Sequence, residues 1–425
     1  MSEIIIDRAL RYMEGTQRVL DEGASLDNVQ NHLDEIGITR VASITDLDRV
    51  GIPIFSTIRP SAAEGAISIY SGKGANEPQA RISAIMEGFE RCLAERNGVN
   101  MDVTENVSAP EIIGTCQEAA EDHYALDPAT LLLPEPLAED ALVEWTLGYD
   151  LLQNRDVFVP SNAVYHPYDA PGQSAKLFRS NTNGLAAGSV MEEAILHGLL
   201  EVIERDALSM AEFNRNSGRE LLLTPEDGIS YGLVQKFRDK GVDIKLWVLS
   251  HDTDITTVVA STDDIQLEDP ALLVMGAGSH LKPEIAVRRA ITEAAQSRVV
   301  QIHGAREDTA REEFVRQIGY ERMKRMNRFW YEDGHETASL SELADHSSSS
   351  PAENIEHVLS ELRTITDSAI IVDLSRRSIA IPVVRVLIPG FELYTLDRER
   401  VGKRMKIARK QSTSREKPWK RRPKI

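Results

Sequence analysis

Cysteine is nearly missing from this chain: among 425 residues only Cys92 and Cys116 occur. Two cysteines cannot build a disulfide framework or an all-thiolate metal site, and their scarcity fits a reducing, cytoplasmic setting. No uninterrupted apolar run approaches the roughly 18 residues that a membrane-crossing helix needs. The opening segment MSEIIIDRALRYMEGTQRVL mixes acids and bases and lacks a signal peptide's apolar stretch. Lysine is also scarce, with seven in the first 401 residues. The net charge of −19 divides unevenly, because residues 402–425 carry +10 and the remainder −29. Such an acidic body argues against a general nucleic-acid binder and suits a salty cytoplasm that screens self-repulsion. The basic 402–425 reads as a flexible or docking extension rather than a catalytic part.

What is present is an ordinary globular composition, 42% hydrophobic and 27% charged. Residues 4–35 read as helices, and ITRVASIT and IPIFSTIR within 37–59 as strands. GAISIYSGKG alternates into a glycine turn before a helix over 78–97. The acidic stretch 107–143 reads as helical with a turn-rich break. Strands follow near 144–166, then a Gly/Ser/Asn-rich segment opening a helix to about 211. Strands at 243–249, 256–261 and 271–276 precede a helix over 283–303. Residues 306–350 are polar and read as an insertion, followed by a helix (352–365) and two apolar strands. The pattern is a mixed α/β fold with repeated strand–glycine turn–helix units.

Three of those helices share a frame: Ala80-xx-Ser83-Ala84-xx-Glu87-xx-Glu90-Arg91, Ala194-xx-His197-Gly198-xx-Glu201-xx-Glu204-Arg205 and Ala286-xx-Arg289-Ala290-xx-Glu293-xx-Gln296, with Arg298 one step displaced. Gly74 and Gly188 each lie thirteen residues before the first acid of the frame, and Gly278 fifteen before Glu293. The regularity points to one supersecondary unit used three times. At about 100° per residue, Ser83, Glu87 and Glu90 fall within roughly 60° of one helix face, and Glu193, His197, Glu201 and Glu204 within roughly 80°. An acidic stripe is ordinarily a solvated face. Here small residues permit close approach and lysines at i+4 are lacking, so a shared site is an equal reading. Converging carboxylates need cations, and all-oxygen ligands suit Mg²⁺ or Ca²⁺. Mg²⁺ bridges carboxylates to phosphates, and the arginines offer those phosphates direct charge. His197 reads either as a ligand or base or as a hydrogen-bonded structural histidine. SGKG (71–74) lacks the rest of a P-loop and reads as a turn.

The motifs S-x-x-x-E-x-x-E-R (83–91), S-N-x-N-G-L-A-A-G (180–188), E-A-x-x-x-G-x-x-E-x-x-E-R (193–205), T-E-A-A-Q-S-R (292–298) and P-V-V-R-V-L-I-P-G-F-E (382–392) together resemble the YcaO family over about residues 37–400. The resemblance implies a YcaO-like catalytic domain at 37–401 after a helical segment at 1–36, with ATP and Mg²⁺ as cofactors. It implies that Glu87, Glu90, Glu193, Glu201 and Glu204 hold Mg²⁺. Ser83, Arg91, Ser189, Arg205, Gln296 and Arg298 would then surround the nucleotide; Ser189 departs from relatives that carry Asn there. YcaO proteins activate backbone amides by phosphorylating the amide oxygen. The pattern looks most like stand-alone archaeal members associated with thioamidation of a glycine in methyl-coenzyme M reductase. The partners so implied are its alpha subunit and a TfuA-like protein, with a homodimer left open and neither membrane nor nucleic acid expected. The terminal KPWKRRPKI does not match the P-x-P-x-P end of azoline-forming relatives. Cyclodehydration to azolines, or a non-catalytic nucleotide-binding helper, are the competing readings.

Overall fold

The structure, a computed structural model, describes residues 6–13, 17–96, 111–121, 123–304, 311–334 and 336–407. A short helix, α1 (Glu22–Gln30), is followed by β1 (Arg40–Ser43), β2 (Ile54–Ile58), β3 (Ile69–Lys73) and the helix α2 (Glu77–Leu93). Next come β4 (Glu111–Gly114), α3 (Cys116–Ala119), β5 (Tyr124–Ala125), β6 (Val143–Asp150), β7 (Arg155–Pro160) and α4 (Ser161–Val164). β8 (Leu185–Ala187) runs into α5 (Met191–Asn214). Then follow β9 (Arg219–Leu222), α6 (Gly228–Arg238), β10 (Asp243–Val248), β11 (Thr256–Asp263), β12 (Met275–His280) and α7 (Pro283–His303). The chain continues through α8 (Arg311–Ile318), α9 (Tyr320–Met326), β13 (Thr337–Ser339), α10 (Pro351–Leu362), β14 (Ile370–Asp373) and β15 (Val383–Leu387).

The strands form three sheets ordered β1-β2-β3, β12-β11-β10-β9-β13 and β5-β7-β6-β14-β15-β8, with β4 added beside β6. Pairing is antiparallel except at β9–β13 and β5–β7. Local chemistry starts the key helices where they start. Asn76 accepts the Gln79 N–H and Pro78 occupies the first turn of α2, while Pro283 opens α7. The apolar faces of α2, α5 and α7 decide the packing. Ile85 and Phe89 of α2 join Trp145 and Val157 in one core. Ile195, Leu199 and Ile203 of α5 pack with Ile371, Val384 and Val386. Val287 and Ile291 of α7 pack with Phe237 and Val258. Cys92 is buried in the first core, and burial pushes its thiol up to about 11, so it is inert packing.

Several sequence expectations meet a different backbone. Of 4–35, only Glu22–Gln30 is helical among the described residues. The preceding segment bonds outward instead, Tyr12 N–H to Ser349 O (2.8 Å) and Asp7 N–H to Glu192 Oε1 (2.6 Å). The part of 107–143 that is described is helical only at α3, which Thr115 caps; the rest forms short strands and turns, because β4 is taken up by β6 and Asp127 and Pro128 start a tight turn. The strand expected at 271–276 begins at Met275, after a turn capped by Asp269. Much of 306–350 is woven into the fold: β13 lies parallel to β9, and the Trp330 carbonyl accepts from Trp247 Nε1 (3.1 Å) and Ser261 Oγ (2.7 Å). Of the basic tail, residues 402–407 are described; Gly402 and Met405 donate their N–H groups to Glu392. The remaining tail residues lie outside the described set. Among the described residues no helix is long and apolar enough to cross a membrane.

Candidate functional site

The three strand-to-helix units repeat at atomic detail. A Cβ added to Gly74 falls 2.5 Å from Ala80 N, and one added to Gly188 falls 2.5 Å from Ala194 N. Only glycine lets the strand end so close to its helix. Six residues before Ala286, the corresponding place holds His280. Gly278 corresponds instead to Gly72, since their added Cβ atoms fall 2.3 Å from Ala286 O and 2.4 Å from Ala80 O. The fifteen-residue spacing in the third unit is therefore a substitution of the turn glycine, with the frame itself unbroken.

With their apolar faces committed to separate cores, α2, α5 and α7 turn their polar faces onto one cleft of about 1490 Å³. Glu87, Glu90, Glu193, Glu201 and Glu204 all line it, as do Ser83, Arg91, Ser189, Arg205 and Gln296. Local contacts fix their positions. Ser71 N–H donates to Glu87 Oε2 (3.3 Å), and Arg91 reaches Glu87 Oε1 at 3.2 Å and Glu90 Oε1 at 3.9 Å. Ser189 N–H donates to Glu193 Oε2 (3.2 Å), and Ser279 N–H to Glu204 Oε2 (3.0 Å). Lys73 N–H donates to Ser83 Oγ (3.3 Å), and Gln296 Nε2 donates to Ser71 O.

Arg298 is the one named residue that the fold withholds from the cleft. It is fully buried, with Nε on Asp48 Oδ2 (2.9 Å) and Nη2 on Asp264 Oδ2 (3.0 Å). The position equivalent to Arg91 and Arg205 is Ser297, and one residue further turns the side chain by about 100°. Arg298 is thus a strut tying α7 to the loops at Asp48 and Asp264. In its place the cleft gains residues that the sequence reading did not select. Lys73 forms an ion pair with Glu293. Arg289 places Nη2 3.2 Å from His197 Nε2, and His280 lines the wall. Arg289 and Glu293 stand in the helical frame beside His197 and Glu201, which was the available signal. Lys73 sat inside a glycine turn and gave none.

The electrostatics describe carboxylates crowded beyond comfort. Burial lifts Glu90 well above the usual carboxylate range despite Arg91 beside it, and the charges of Glu201 and Glu87 add to the rise. Burial also raises Glu201, against the opposing pull of Arg205 and Arg91. Glu204 is pushed up to about 7 by burial, with the charge of Glu293 adding to it. Burial acts the same way on Glu293, but Lys73 outweighs it and holds that carboxyl low. Burial, and then the charge of Arg289, hold His197 well below its usual range, and Arg289 Nη2 stands 3.2 Å from its Nε2.

This donor set fits Mg²⁺ with a phosphate ligand. The carboxylates offer only oxygen ligands, Glu90, Glu201 and Glu204 are destabilised as they stand, and Arg91, Arg205 and Arg289 each bury an Nε with no hydrogen-bond partner among the described residues. No three His, Cys, Asp or Glu side chains among the described residues are gathered closely enough to hold an ion by themselves.

Known proteins resemble this chain in sequence and in fold. Residues 71–392 match a family model described as YcaO cyclodehydratase, ATP-ad Mg2+-binding. An uncharacterized protein of Methanothermobacter thermautotrophicus is 49% identical over 376 residues, 88% of this chain and 94% of that one. A protein of Rhizobium leguminosarum bv. trifolii, designated by its place in the tfuA 3' region, is 29% identical over 377 residues, 86% of each chain. The structure of YcaO from Methanopyrus kandleri bound with AMPPCP and Mg²⁺ superposes with a TM-score of 0.72 at 28% identity, covering 91% of this chain and 95% of that one.

Proposed function

The chain belongs to the YcaO family, whose members activate amides with ATP and Mg²⁺, and we propose that it replaces a backbone amide oxygen by sulfur in a protein substrate. The observation that carries the reading is the convergence of five glutamates from α2 and α5 on one cleft rimmed by Lys73, Arg91, Arg205 and Arg289. In this assignment Glu87, Glu90, Glu193, Glu201 and Glu204 hold Mg²⁺, while Ser83, Arg91, Ser189, Arg205 and Gln296 surround the nucleotide. Bound Mg-ATP supplies a phosphoryl group that turns the amide oxygen, a poor leaving group, into phosphate. The chain's own part is positional and electrostatic: the arginines and Lys73 offset phosphate charge, and the buried walls exclude water from the activated amide. The cleft volume exceeds that of an ordinary small-molecule pocket, leaving room for a peptide beside the nucleotide.

Sulfide is the nucleophile in this reading. Its sulfur bonds to the amide carbon, the C–O bond breaks, and the oxygen leaves with the γ-phosphoryl group as phosphate. ADP is the other product, and the sulfide proton ends on phosphate. The relative from the tfuA region supports a TfuA-like partner that hands over the sulfur, and the substrate in this reading is the alpha subunit of methyl-coenzyme M reductase. The family description favours a second reading, cyclodehydration of cysteine or serine to azolines.

Mass spectrometry separates them. The chain, ATP, Mg²⁺, a sulfide source, the TfuA-like partner and a glycine-containing reductase peptide are expected to give a gain of about 16 Da on the peptide, with phosphate released. A loss of about 18 Da at cysteine or serine would assign azoline formation instead. Nucleotide binding without any change in peptide mass would make the chain a helper.

A further inference from the structure

A second, small cavity of about 40 Å³ lies beside α5, where Val202 meets Arg385 of β15, Phe178, Asn181, Asn183 and Arg400. Both guanidinium groups are interior, Arg385 being 3% exposed and Arg400 2%. Arg385 donates from Nη2 to Asn181 O (2.8 Å), while its Nε and Nη1 have no hydrogen-bond partner among the described residues. Arg400 donates from Nε to Leu132 O (3.2 Å) and from Nη2 to Leu131 O (2.5 Å), and rests over the Phe178 ring. Its Nη1 is likewise without a partner. Glu90 and Glu201 favour the charge on Arg385, Arg91 and Arg400 oppose it, and Asp397 is the acid that acts on Arg400. None of these acids is hydrogen-bonded to either guanidinium. Burial lowers both guanidinium groups to about 10.

Two like charges buried in one cavity are costly unless a counter-charge joins them. Water can satisfy the three unpartnered nitrogens, but it cannot cancel the charge. The volume restricts what can. At about 10–15 Å³ per water-sized occupant, the cavity takes one halide-sized ion and a water, and is too narrow for a nucleotide phosphate. Asn183 Oδ1 also lacks a donor, and turning the amide over would present its N–H groups to an anion. We propose that this cavity is a binding site for a small monovalent inorganic anion, chloride in the cell, held between Arg385 and Arg400.

Bromide is the direct probe. In crystals of the full chain grown with bromide in place of chloride, an anomalous peak is expected within hydrogen-bond distance of both guanidinium groups. Bromide found only at surface positions would overturn the proposal. In solution, exchanging gluconate for chloride at constant potassium is expected to raise Tm saturably by about 2 °C; no rise would overturn it. Asn183→Asp places a carboxylate in the cavity, so this variant should be more stable than wild type in gluconate and lose its response to chloride. A variant that keeps the full chloride response would place the ion elsewhere and refute the assignment.

Discussion

Replacing Glu204 by Gln removes a charge that the metal-free fold holds at a cost. Glu204 is buried, 3% exposed, and its carboxyl is raised from 4.5 to about 7. An acid whose folded pKa lies above its unfolded value binds more protons when folded, so its contribution to stability falls as pH rises from about 4.5 to 7. Above that window the penalty is fully present. At 1.36 kcal/mol per unit, it approaches about 3 kcal/mol at pH 8 and stays under about 1 kcal/mol at pH 5. Gln keeps an acceptor for the Ser279 N–H, so the substitution isolates the charge. For 425 residues at about 2.1 cal/mol/K each, 3 kcal/mol is a Tm change of roughly 3–4 °C. Calorimetry in EDTA should therefore show Glu204→Gln melting above wild type at pH 8, with little gain at pH 5. Saturating Mg²⁺ with ATP should reverse the order, because only the wild type binds them tightly. A Glu204→Gln protein equally or less stable than wild type at both pH values would refute the crowding argument.

Three further outcomes follow from individual contacts. Arg298→Met leaves Asp48 buried without its cation, while Asp264 keeps Arg49 at 2.7 Å, so it should destabilise the fold by about 3 kcal/mol in denaturant titration. The ATP affinity of the molecules that remain folded should be unchanged, since Arg298 stands outside the cleft; lost affinity would return it to the site. Gly188→Ala forces a methyl to 2.5 Å from Ala194 N, and should weaken ATP binding at least tenfold in calorimetry by displacing the first turn of α5 with Glu193. Gly172→Ala serves as its control, because nothing lies within 4 Å of an added Cβ there, although the positive φ of 58° carries a small strain.

The acidic helices were legible in the sequence because a 3.6-residue period fixes which side chains share a face, whatever the helices pack against. Ser83, Glu87 and Glu90, and likewise Glu193, Glu201 and Glu204, needed only that period and a reason for the faces to meet. The apolar residues opposite them, such as Ile85 and Phe89, supplied the reason. Arg298 shows where the method stops. Its neighbourhood in the T-E-A-A-Q-S-R motif suggested the nucleotide, but a single residue of helical phase sends it to Asp48 and Asp264, which lie 250 and 34 residues away in sequence. Lys73 was illegible for the opposite reason, since its partner Glu293 comes from another repeat unit 220 residues on. The segment before Glu22 carries amphipathic character, yet it spends its hydrogen bonds on Glu192, Glu193 and Ser349. Tertiary partners of that kind leave no trace in local pattern.

The most direct measurement follows the amide oxygen itself. A substrate peptide labelled with ¹⁸O at the target glycine carbonyl, incubated with the chain, Mg-ATP, sulfide and the TfuA-like partner, is predicted to release phosphate carrying one ¹⁸O for each thioamide formed. Glu201→Gln should abolish both products together. Thioamide formed with unlabelled phosphate, or ATP consumed while the peptide keeps its ¹⁸O, would contradict activation by phosphorylation of the amide oxygen.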